Sequence, residues 1–195
     1  LMASLFDALE AEAFRKGLTA RSKEANQWFA SNVKKLGKLG PGKVLADDKL
    51  KKQAGASPGD MVMYTYNPKH KATLPYYDTF PLAIIVGKAK DGFNAINLHY
   101  LPPKVRAIFL DKLYDTANND KFNATTRFKI TYKLLMATKS YKYFKPCFKH
   151  YLSSNVTSNI MKVNSAEWNI AIFLQTASFK KASTGTVWSD SRSKY

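Results

Sequence analysis

Cysteine is almost missing from this chain: there is one, Cys147, in 195 residues. A single thiol excludes an internal disulfide and any multi-cysteine metal site. Free cysteine is among the most buried residue types, so Cys147 is expected in the core. Histidine is nearly as scarce. His70, His99 and His150 show no short ligand spacing such as HExxH, so neither a metal nor a cofactor is expected. No apolar run reaches the roughly 18 residues of a membrane span. Asp7, Glu10 and Glu12 interrupt the N-terminal apolar stretch, which argues against a secretory signal. Acids are few, 14 in all, and scattered. The nearest pair, Asp47 and Asp48, falls in a linker-like stretch, so no paired carboxylates stand ready for acid–base work. Cys147 and His150 are three residues apart and form a conceivable dyad, but no oxyanion donor or orienting partner accompanies them. No catalytic residue is therefore assigned, and a non-enzymatic protein is expected.

What is present is positive charge. The formal net charge is +17 and the pI about 9.8, which suits a polyanionic partner. Residues 121–165 contain no acid at all. Arg127, Lys129, Lys133, Lys139, Lys142, Lys145 and Lys149 recur through that stretch, interleaved with Tyr141, Tyr143, Phe144, Phe148 and Tyr151. A second, shorter basic run is Lys69, His70 and Lys71, followed by Tyr76 and Tyr77. Lysines neutralise phosphates and release counterions, while aromatics stack on exposed bases. These ten basic residues are the candidate DNA contacts. Tyr141, Phe144, Phe148 and Tyr151 fall at helical spacing, so the lysines are the stronger contacts and the aromatics read as core. Arginine, the best reader of base edges, occurs five times against twenty-six lysines. That balance points to backbone neutralisation, not sequence reading.

Along the chain, residues 1–37 read as a helical arm. Ser4 is a plausible N-cap, and Leu5, Leu9, Ala13 and Phe14 make one apolar stripe. A second helix carries Ala25, Trp28, Phe29 and Val33 and ends at Gly37. Leu5, Leu9, Trp28, Phe29 and the distant Trp188 are candidate protein-interface residues. Residues 38–59 look like a linker, with a short helix around 47–54. The GKLGPGK segment there lacks the spacing of a phosphate loop. Residues 60–178 read as the main domain, densest at 64–103, where five of the eight prolines lie. Strands are expected at 61–66, 81–87 and 93–101, with Asp91-Gly92 as a hairpin signal. A helix starts at Pro103, with Val105, Ile108, Phe109 and Leu113 inward. A further helix is expected at 128–135 and a strand at 167–174. Residues 179–195 form a peripheral extension anchored by Phe179 and Trp188. His99 is expected to hydrogen-bond inside the domain, and Asp78 to satisfy local backbone or a nearby base. The fold class is α+β: a small SH3-like β-barrel with peripheral helices and an N-terminal helical arm.

The blocks NPKHKATLPYYDTFPLAIIV, DGFNAINLHYLPPKVRAIFLDKLYD, AEWNIAIFLQTASFKK and VWSDSR resemble, in that order, the DNA end protector or head-completion proteins of T-even-like and other contractile-tailed phages. The resemblance covers roughly residues 60–192. It implies a virion protein that joins the filled head near the portal, contacts the end of packaged double-stranded DNA, and shields it from exonuclease by binding. Portal, neck, tail or baseplate proteins are the implied neighbours, in several symmetric copies and with no membrane. The chain departs from the family pattern at Gln175-Thr176-Ala177, where a proline and an acid are usual. The alternative is a structural tail or baseplate component that docks on virion proteins without touching DNA. A nuclease or toxin-like enzyme would need a convergent acid or His–Lys site, and none can be assembled.

Overall fold

The structure, a computed structural model, describes residues 4–19, 22–117 and 145–193. Two helices come first. α1 (Leu5–Arg15) starts where the Ser4 hydroxyl accepts from the Phe6 N–H at 3.2 Å. α2 (Lys23–Asn32) starts where Ser22 accepts from the Ala25 N–H at 3.0 Å. Both serines satisfy donors that a first helical turn leaves unpaired. Gly17, at φ 67°, reverses the chain after α1 in a conformation few side chains adopt. Then follow α3 (Pro41–Leu45), β1 (Leu50–Gln53), β2 (Met61–Met63), β3 (Tyr77–Asp78), β4 (Leu82–Ala89), β5 (Gly92–Asn97) and α4 (Pro103–Ala117). Among the described residues there follow β6 (Phe148–Leu152), β7 (Ile160–Val163), α5 (Trp168–Ala171), β8 (Phe179–Lys180) and α6 (Thr184–Ser193).

Six strands form one antiparallel sheet in the order β1-β7-β2-β4-β5-β6, and β3 pairs with β8 in a separate ribbon. The sheet is open. Among the described residues, β1 pairs only with β7, and β6 only with β5. The closed SH3-like barrel expected from the sequence is therefore not formed, and the architecture is α+β. β1 helps keep the edge open: it is short and points Lys51 and Lys52 into solvent, and charged side chains discourage edge pairing.

The sheet is buried on both faces, which is why its central strands read as near-continuous apolar runs. Met61, Met63, Leu82, Ile84, Ile96, Met161 and Val163 share the main core with the helices. Phe6 and Leu9 of α1, Phe29 of α2 and Phe109 of α4 belong to it. The helices read as an arm thus build the same core as the sheet. Val62, Ala83, Ile85 and Ala95 face the other way, into a smaller core filled by Tyr64, Tyr66, Phe93 and Tyr151. Tyr64 meets those three rings edge to face, at centroid distances of 5.5–6.4 Å, the arrangement ring quadrupoles favour.

Several elements differ from their sequence reading. The turn between β4 and β5 is Lys90-Asp91, because Ala89 pairs with Gly92. Gly92 opens β5, where a Cβ would lie 1.8 Å from the Tyr151 carbonyl oxygen. β5 stops at Asn97, whose side chain accepts from the His99 N–H and bends the chain into a 3-10 turn. In α4 the buried stripe is Phe109, Leu110 and Leu113, while Ile108 is 54% exposed. The buried cation Arg106 donates to the Leu101 and Ile172 carbonyls, and burial lowers its pKa to about 10. Residues 167–174 are not a strand. A 3-10 turn leads into α5, and Asn169, Ala171 and Phe173 are buried along with Ile170, Ile172 and Leu174. An alternation signal carries no face information when both faces are covered. Residues 38–59, read as a linker, contribute α3 and β1. The expected helix at 128–135 lies outside the described residues.

Candidate nucleic-acid interface

The smaller, tyrosine-filled core runs out to the surface beside β6 and ends in a cleft. Its walls are loop 67–76 on one side and residues 145–152 on the other. One part has a volume of about 480 Å3 and is lined by Tyr66, Lys69, His70, Tyr76, Lys149 and His150 among others. An adjoining part of about 450 Å3 is lined by Leu74, Pro75, Tyr76, Tyr100, Lys145, Pro146 and Lys149. Lys149 holds its ammonium 4.1 Å from the centre of the Tyr100 ring, a cation–π contact. His150 sits between Asn94 Oδ1, at 3.0 Å, and Asp91 Oδ1, at 2.9 Å.

A buried polar network fixes the floor. Asp78 is 4% exposed. Its Oδ1 accepts from the Phe80 and Ser178 N–H groups, and its Oδ2 accepts from Asn97. His99 Nδ1 lies 2.6 Å from the same Oδ2, and its Nε2 lies 2.8 Å from the Thr176 hydroxyl. Burial lowers the His99 pKa, Arg106 adds to that, and Asp78 opposes it. The neutral ring therefore donates from Nδ1 to Asp78 and accepts the Thr176 proton at Nε2. Burial alone would raise Asp78, but His99, the Phe80 N–H and Asn97 hold its carboxyl below the ordinary range. Asn97 also donates to the Tyr151 hydroxyl, and Trp188 donates to the His99 carbonyl. This network ties β3, β5, β6, the chain after α5, and α6 to one point.

The loop wall is pinned from outside. Among the described residues, Lys181 is the non-glycine residue with positive φ, at 68°. From that strained conformation its ammonium reaches the carbonyls of Lys71, Ala72 and Leu74 at 2.6–3.1 Å. Three carbonyls on one cation hold the loop as a rigid rim, where backbone strain of this kind is tolerated.

Of the ten candidate DNA contacts, Lys69, His70, Lys145 and Lys149 line this cleft. Lys71 is exposed nearby and donates to Asn67 Oδ1 at 2.9 Å. Arg127, Lys129, Lys133, Lys139 and Lys142 lie outside the described residues. Of the helical stripe expected through Tyr151, Phe148 and Tyr151 lie instead on strand β6, which turns Tyr151 into the smaller core, while Tyr141 and Phe144 lie outside the described residues. The conceivable Cys147–His150 dyad has no working thiol: Cys147 is buried and its pKa is pushed up to about 12. Among the candidate interface residues, Leu9 and Phe29 lie in the main core, with Trp28 packed against it. Trp188 is half-buried and caps His99. The side chain of Leu5 lies outside the described residues. Sequence reasoning missed Tyr66, Tyr100 and Lys181. The first two look like ordinary core residues, and nothing local marks a lysine that bonds a loop 107 to 110 residues away.

Among the described residues no helix is long and apolar enough to cross a membrane. No curated protein and no solved structure matches the chain. A family model described as Phage T4 terminal DNA protecting protein matches residues 1–192, the helical layer included. The chain belongs to this phage family of terminal DNA protecting proteins.

Proposed function

We propose that the chain binds the end of packaged double-stranded DNA in the cleft between loop 67–76 and β6, and shields it within the virion at the portal or neck. One observation carries this reading. Two basic segments far apart in sequence, Lys69-His70 and Lys145 with Lys149, line one concave surface with tyrosine walls. Lysines on such a rim neutralise phosphates, and a cleft that ends a sheet fits a strand terminus better than a continuous duplex. The family description names terminal DNA. Protection by occupancy needs no catalytic group. Arg127, Lys129, Lys133, Lys139 and Lys142 are further cations in the sequence for phosphate contacts. A neighbouring virion protein docks on the helical layer, where Phe14 is 84% exposed, and the chain sits there in several symmetric copies.

The test is a competition between linear blunt duplex and closed circles of the same sequence, repeated over a salt series with the full chain. The reading expects ends to outcompete circles and affinity to fall steeply with salt, by about 0.9 in the log–log slope per phosphate contacted. A slope near zero, or equal affinity for ends and circles, overturns it. A slope near zero would favour a tail or baseplate component that contacts only protein.

A further inference from the structure

The cleft has two chambers that share Leu74, Tyr76, Tyr100 and Lys149. One holds the polar groups Lys69, His70, Asp91 and His150. The other, about 450 Å3, has apolar walls from Leu74, Pro75, Tyr76, Tyr100 and Pro146, with Lys145 and Lys149 as its charged groups. Its walls are stiff. Proline rings fix their own backbone. Tyr76 is wedged edge-on against Phe179, 6.4 Å between centroids, and lies tilted against Tyr100 at 6.2 Å. Lys181 pins the carbonyl of Leu74 at 3.0 Å.

This volume falls within the roughly 300–1,000 Å3 range of sites that enclose one small organic ligand. A single nucleotide is of that size; a base pair with both its backbones is not. A duplex laid on the rim would satisfy the lysines and leave the apolar chamber empty, with Leu74 still 37% exposed. An aromatic wall with cations at the mouth matches an unpaired base followed by its phosphate. Resting on the DNA-end reading above, we infer that the terminal nucleotide of one strand leaves its pair and lodges in the apolar chamber. Its base lies against Tyr76 between Pro75 and Pro146, and its phosphate meets Lys145 and Lys149. A terminal base has one stacking neighbour, so it is the cheapest in the duplex to extract. End recognition then follows from the chamber, because interior nucleotides cannot enter it at the same cost.

The experiment measures binding of the full chain to three duplexes of equal length against a closed circle. One has an open blunt end, one has its terminal base pair covalently cross-linked between strands, and one carries a single unpaired terminal nucleotide. The cross-link is expected to weaken binding about tenfold relative to the open end, and the unpaired nucleotide to tighten it severalfold. Cross-linked and open ends that bind equally, yet better than the circle, overturn this inference and leave end binding intact. An unpaired nucleotide that binds no better than the cross-linked end also overturns it. If no end beats the circle, the DNA-end reading itself fails.

Discussion

Two buried carboxylates mark the two ends of this molecule, and they are held in opposite ways. Asp78, under the cleft, accepts four hydrogen bonds, two from backbone and two from side chains. Its carboxyl stays below the ordinary range, although burial works the other way. Glu167, at the junction of the helical layer and the sheet, leaves Oε2 without a hydrogen bond. Burial, then the neighbouring Glu10, push its pKa up to about 8, while Lys49 pulls it back. Lys49 is shared: it lies 3.0 Å from Asp7, 4.0 Å from Glu10 and 3.7 Å from Glu167. The cleft end is thus a satisfied network that fixes geometry. The helical end is clamped by one lysine among three acids, so its hold depends on proton count. Rigidity lies where a ligand is to be received, and adjustability where the N-terminal helices join.

The largest expected effect destroys the rigid end. Gly92→Ala drives a Cβ into the Tyr151 carbonyl at 1.8 Å, a clash with backbone that no rotamer relieves. Loss of about 3 kcal/mol or more is expected, a fall of roughly 6–12 °C in Tm for a chain of this size, read by calorimetry. Next comes the charge of the cleft. Lys145→Ala with Lys149→Ala should reduce the log–log salt slope by about 2 and DNA affinity about tenfold or more. The Tm of that pair should move by no more than about 2 °C, because surface charges contribute little to stability.

The two ends should also answer pH with opposite sign. Glu167 binds its proton more tightly folded than unfolded. Its contribution is therefore full below the ordinary glutamate value of about 4.3 and lost as pH rises toward 8. Glu167→Gln should remove that slope, and its Tm relative to wild type should gain on the order of a few °C between pH 5 and pH 8. His99 is lowered in the fold. Its contribution is full above about 6.5 and lost as pH falls through the folded value. Hydrogen exchange should accordingly show the cleft end opening first in acid and the helical end first in base. The smallest effect is at the rim. Lys181→Ala should speed exchange across residues 70–75 and weaken DNA binding severalfold, with Tm nearly unchanged.

How much of this was legible in the sequence differs between the two ends. β4 and β5 show as an apolar run and a hairpin because their signals are local, and so do the cap at Ser4 and the start of α4 at Pro103. The polar tether of Asp78 and His99 was legible as residue types. Its third member, Thr176, is not legible, because no spacing links it to the other two. α5 was misread because its residues are buried all round. The open sheet was missed because closure depends on whether β1 meets β6, a pairing far apart in sequence. The cleft itself was half legible. Its lysines stood out by charge, but Tyr66 and Tyr100 became walls only when β6 and loop 67–76 came together.

Whether this cleft receives the DNA end is read out by photo-cross-linking a duplex with 5-iododeoxyuridine at its terminal position, followed by peptide mapping of the intact chain. The account predicts adducts on residues 66–77 and 145–152, with Tyr76 the foremost, and none when the same base sits in the duplex interior. Adducts confined to α1 and α2, or equal labelling from terminal and interior positions, would contradict it.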